Sequence, residues 1–149
     1  MSSRPDQNAR ALAALLDTLI PPSPDGTLPG AGELGLAAII EEAAPGFAAA
    51  AAEGLSELER RAAARGAEGF ADLDLADRSA LLAEYASDAP AFLPPLIFRA
   101  YAHYYQHPAV VTGLGLEARP PHPLGYELEA GDLSGLDAVR ARRPLYRNV

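Results

Sequence analysis

Ten residues, PPSPDGTLPG from Pro21 to Gly30, hold four prolines and two glycines. No helix propagates through them, because each proline lacks a backbone N–H and clashes with the turn before it. The same punctuation recurs at Pro45, Gly66, Gly69, Pro90, Pro94, Pro95 and Pro108. Between the breaks the apolar residues recur at spacings of three and four, and no alternating strand pattern is present. A chain cut in this way is all-α, a single-domain bundle of about five or six helices. Its 149 residues are enough to bury a core of that kind.

The first helix is expected over Asp6 to Ile20, capped by Asp6, with Leu12, Leu15, Leu16, Leu19 and Ile20 as its stripe. A second is expected over Ala31 to Glu42, with Leu34, Ala37, Ala38 and Ile39 inward. A long third begins near Pro45, a favoured first-turn residue, and carries Phe47, Ala51, Leu55, Leu58 and Ala62 on one face. Gly66 and Gly69 end it. Asp74 caps a fourth, with Asp77 three residues on, and its core face is Leu75, Leu81, Leu82 and Tyr85. Pro90 closes that unit. Pro94 and Pro95 open a fifth, which runs to about Gln106 and is stopped by Pro108. After Gly115 the segment EARPPHPLGYELEAGD is rich in Pro and Gly and is expected to lie extended, with a short helix from Leu133 to about Arg142. This divides the chain into a helical domain over 1–126 and a C-terminal extension over 127–149.

Charge excludes several roles. The net charge is −8 and the pI about 4.8. Such a chain is repelled by phosphate backbones and anionic lipid, so no nucleic-acid partner is expected. No apolar stretch approaches the length of a membrane span, so no direct membrane insertion is expected either. Cysteine is absent, which removes disulfides and thiolate chemistry. Every basic residue is Arg, and Arg140, Arg142, Arg143 and Arg147 give the acidic chain a basic tail.

The segment FRAYAHYYQHP, Phe98 to Pro108, raises the question of chemistry. His103 and His107 are four apart and would share a helix face with Arg99 and Gln106. A metal there needs a third ligand and has Arg99 as a fixed positive neighbour. A polar face covered by a partner is the favoured reading. Ile97, Tyr101, Tyr104 and Tyr105 form a second stripe, read as core. No Glu has His three residues later, which leaves no di-iron carboxylate pattern. GAGELG, Gly30 to Gly35, matches the dinucleotide fingerprint by letter but follows a proline-rich loop instead of a strand. No nucleophile elbow is present, and His122 sits among prolines. No catalytic residue, bound cofactor or metal is assigned. The alternative is a stand-alone helical protein with a metal or acid–base site at His103 and His107.

Three stretches carry a family resemblance: LLDTLIPPSPDGTLPGAGELGLAAIIE, FADLDLADRSALL and YYQHPAVVTGLGLEARPPHPLGY. In their order and spacing, from Leu15 to Tyr126, the chain resembles the gluconate 2-dehydrogenase subunit 3 family, the small or gamma subunit of sugar dehydrogenases. The resemblance implies a non-catalytic partner of a large FAD-dependent dehydrogenase of the glucose–methanol–choline type, often with a cytochrome c subunit alongside. The flavin and the sugar or polyol chemistry belong to the large subunit, while the small one supports its folding, stability or export. Many family members begin with a twin-arginine export signal. Here only Arg4 lies near the start and no apolar signal core follows, so the expectation is a cytoplasmic chain, periplasmic if a signal-bearing partner exports it. Tyr and Arg are the usual interface anchors. The candidate contacts to the partner are Arg99, Tyr104, His107, His122, Tyr126 and Tyr146, with the Pro-rich C-terminal half lying along the flavoprotein.

Overall fold

The computed structural model of the chain describes residues 4–42, 47–88, 91–119, 125 and 129–142. They fall into two units, Met1–Arg119 and Pro120–Val149. The first unit holds α1 (Arg4–Leu19), α2 (Leu36–Glu42), α3 (Ala48–Ala64), α4 (Leu75–Ala86), α5 (Leu93–Tyr104) and α6 (Pro108–Gly113). A 3-10 turn, Phe70–Asp72, joins α3 to α4. The second unit holds a 3-10 turn, Ser134–Leu136, followed by α7 (Asp137–Arg140). No strand occurs among the described residues, and the all-α expectation holds.

Helix α1 packs against α2, α3, α4 and the 3-10 turn at Phe70. Its stripe of Leu12, Leu15, Leu16 and Ile20 is buried, and each such side chain stabilises the fold by roughly 1.5–3 kcal/mol. The helix begins at Arg4, two residues before the expected cap. Pro5 lies in the first turn, where its missing N–H leaves no bond unmade, so Asp6 is a first-turn residue and not the cap.

The second helix starts at Leu36, five residues later than expected. Ala31 to Gly35 form turns instead, and Gly35 takes φ +66°, a conformation that helical residues do not adopt. The late start changes the inward face. Leu36 and Ile40 are buried while Ala38 is exposed. The side chain of Ile39, together with Pro45 and Pro90, lies outside the described set.

Helix α3 buries Ala51, Gly54, Leu55, Leu58 and Ala62. Gly54 has no Cβ, and Phe92 lies over that gap: a Cβ there would stand 2.1 Å from the ring. Phe92 stacks in turn on Phe47, with ring centroids 5.9 Å apart. At the far end the Ala67 N–H reaches the Ala62 carbonyl and the Gly66 N–H reaches the Ala63 carbonyl. This is a Schellman cap, made possible by φ +85° at Gly66. Asp74 caps α4 as expected, its carboxylate accepting from the Asp77 N–H. Leu81, Leu82 and Tyr85 are buried, but Leu75 is exposed. It sits at the first helical position, before the helix reaches its neighbours.

Candidate partner interface

Helix α5 is positioned from its C-terminal end. The Tyr104 hydroxyl donates to the Pro29 carbonyl at 2.9 Å. Pro29 belongs to the proline-rich loop, and that loop is itself fastened to α1. The Gly32 N–H donates to Asp17 Oδ1 at 2.7 Å, and the Ala31 N–H donates to the Ile20 carbonyl at 3.0 Å. Glycine is required at 30 and 32 because Asp17 and the Ala13 carbonyl fill the space that a Cβ would take. The first two glycines of GAGELG, Gly30 and Gly32, therefore serve close approach to a carboxylate, which would repel a pyrophosphate. Within the loop, Asp25 accepts from the Ser23 hydroxyl at 2.6 Å and from the Thr27 N–H at 3.1 Å and hydroxyl at 2.8 Å. These bonds pull its carboxyl down to about 2.

Held in this way, α5 is apolar on two sides. Leu93, Leu96, Ala100 and Tyr104 recur at spacings of three and four and enter the core. A second set, Ile97, Phe98, Tyr101 and Tyr105, also has helical spacing and stays exposed. Phe98 is 76% exposed and Tyr105 52%. The Tyr101 and Tyr105 rings stack at 6.1 Å. With aromatic side chains presenting roughly 150–250 Å² each, the open stripe amounts to on the order of 400 Å². That is as large a patch as a monomeric soluble protein normally leaves uncovered. None of its four members carries a charge.

The polar residues singled out in the sequence lie elsewhere. Arg99 is half-buried and turned away from the stripe, its guanidinium 5.9 Å from the centre of the Phe47 ring. Tyr104 is 2% exposed, so it serves the core and is not an open anchor. The helix ends at Tyr104, which breaks the expected face of His103, Gln106 and His107. Pro108 stops α5 and at once begins α6, with His107 as the cap: its Nδ1 accepts from the Ala109 N–H at 3.3 Å. His122, Tyr126 and Tyr146 lie outside the described residues. Among the described residues, no group of three or more His, Cys, Asp or Glu is placed to hold a metal ion. No described helix is long and apolar enough to cross a membrane.

Periodicity alone places Tyr101 and Tyr105 in the core, whereas the structure leaves both exposed, with Phe98 beside them. One signal was available. From Leu93 to Tyr105 the apolar residues cover more of the helix circumference than a single packed face takes up.

Helix α5 thus presents one side that is apolar, uncharged and open. The family model for gluconate 2-dehydrogenase subunit 3 matches residues 6–117, and the chain belongs to that family. Neither the curated proteins nor the solved structures return a match. Membership makes the chain kin to a subunit of a dehydrogenase complex and implies association with other subunits.

Proposed function

We propose that this chain is the non-catalytic small subunit that binds a large FAD-dependent dehydrogenase of the glucose–methanol–choline type and stabilises or matures it. The open, uncharged stripe of α5 carries this reading, because the largest contiguous apolar patch on a protein surface is often a site of interaction. The stripe lies inside the matched region, which supports its being the family's shared means of assembly. In this reading the flavin and the oxidation of a sugar or polyol belong to the large subunit. The small subunit contributes Phe98 and Tyr101 as rigid aromatic anchors, a type of side chain that dominates interface energies. A cytochrome c subunit, where present, takes electrons from the flavoprotein and needs no contact with this chain.

Co-expression with the large subunit of its own complex tests the reading. The wild-type chain is expected to co-elute with a yellow flavoprotein in fixed stoichiometry. Phe98→Asp, at an exposed position, is expected to fold and to elute alone. A wild-type chain that elutes colourless and alone would overturn the assignment.

A further inference from the structure

Arg78 of α4 is a cation without a counter-charge among the described residues. Its Nε is shut off from solvent and meets no acceptor. Its neighbours in sequence and its counterparts on α1 and α3 are placed differently. Arg10 pairs with Asp72, Arg60 and Arg61 with Glu57, and Arg65 with Glu84. Asp74, one turn before Arg78, does not supply the missing charge, because its carboxylate turns in to cap the helix on the Asp77 N–H. A buried donor left unpaired is destabilising, and more so on a charged group. A guanidinium cannot escape by giving up its proton.

The fold accounts for the neighbours of Arg78 and not for Arg78. In the stretch FADLDLADRSALL, Leu81 and Leu82 are buried in the core and Asp74 caps the helix. Arg78 is half-buried, at the margin of that core face. Leu75, three residues earlier and on the same side, is 44% exposed. An apolar side chain and an unpaired cation therefore stand next to each other on the surface of α4.

The acceptor that fits is a carboxylate, which a planar guanidinium takes through two parallel N–H···O bonds. A dissolved carboxylate would gain little, since an ion pair open to water contributes little. The bond strengthens when a chain closes over it and excludes water, and Leu75 offers such a chain its apolar contact. A second copy is the poorer source, because copies of net charge −8 repel one another. On the accessory-subunit reading above, we propose that Leu75 and Arg78 form a contact with the large subunit, in which a carboxylate of that subunit bonds the Arg78 guanidinium and an apolar group beside it covers Leu75. The unpaired Nε weakens the free chain, and the complex relieves it. Stability and binding are thus opposed at this position, which an arginine with a purely structural role would not show.

Arg78→Met keeps an apolar stem and deletes the charge and the donor. The free variant is expected to melt at or above the wild-type temperature. It is expected to bind the immobilised large subunit of the chain's own complex at least about tenfold more weakly, with a gap that narrows as salt is raised. Arg140→Met, which changes the net charge equally at an exposed position, is expected to bind as the wild type does. A clearly lower melting temperature for Arg78→Met would reveal an internal partner and overturn the proposal. So would an equal loss in Arg140→Met, which would make the effect one of net charge, or a gap indifferent to salt, which would make the acceptor neutral. A wild-type dimer in sedimentation that Arg78→Met dissolves would hand the contact to a second copy. Full binding by Arg78→Met beside none by Phe98→Asp refutes this contact and leaves docking through α5 standing. If the wild-type chain does not bind its large subunit, the accessory reading falls and takes this one with it.

Discussion

Tyr104 donates a 2.9 Å hydrogen bond to the carbonyl of Pro29, 75 residues away in the chain, from a ring that is itself buried. The bond ties the end of α5 to the proline-rich loop. Tyr104→Phe keeps the ring and deletes the donor, leaving a part-buried carbonyl unpaired. The expected loss is about 1–2 kcal/mol, read from the urea midpoint, with helix content unchanged. A variant as stable as wild type would show that the loop is held without this bond.

Gly32 is the tightest point of that loop. A Cβ there would stand 2.3 Å from the Ala13 carbonyl oxygen, which is backbone in the middle of α1 and cannot swing aside. Gly32→Ala is expected to destabilise by at least about 2 kcal/mol. Gly131→Ala, where a Cβ would meet nothing within 4 Å, is expected to be neutral and serves as the control. Equal melting temperatures for the two variants would contradict the close packing of loop on helix.

Acid should weaken the fold through two carboxylates. Arg60 and then Arg61 bond Glu57 and draw its carboxyl from 4.5 to about 2, and the Ser23 hydroxyl leads the set that draws Asp25 from 3.8 to about 2. Both values are depressed on folding, so the stabilisation is present above the unfolded values. It is lost as pH falls from about 4.5 towards 2. Denaturation midpoints of wild type and Glu57→Gln are expected to differ at pH 7 and to converge near pH 2. A constant gap across that window would exclude Glu57 as a source of the acid sensitivity.

The histidines separate the accessory reading from a metal protein. Elemental analysis of protein purified without a His-tag is expected to find no stoichiometric metal, in wild type or in His103→Ala. His107→Ala is expected to cost about 1 kcal/mol by removing the cap of α6. A stoichiometric metal lost with His103 would restore the alternative site.

Local signals were legible in the sequence and tertiary choices were not. The stripes of Leu12, Leu15 and Leu16 in α1 and of Leu55, Leu58 and Ala62 in α3 follow from spacing alone, and the Asp74 cap follows from a contact three residues long. The start of α2 escaped because Gly32 answers to Asp17, which lies fifteen residues earlier. Periodicity also cannot say which of two apolar faces on α5 meets a neighbour. Tyr104 went inward and Tyr101 outward, though both fit an apolar stripe. His107 fits a helix face by spacing, but the helix stops at Tyr104 and Pro108 starts another, so the imidazole became a cap.

If a partner covers the stripe of α5, as proposed, the stability of this chain becomes a shared quantity. A partner that covers Phe98 and Tyr101 in the folded chain finds no such surface on the unfolded one. By mass action it adds about 2.7 kcal/mol when present at a hundred times its dissociation constant. On the proposed assembly, a thermal melt of the subunit is a titration of its partner, and the concentration of the large subunit would set the temperature at which the small one survives.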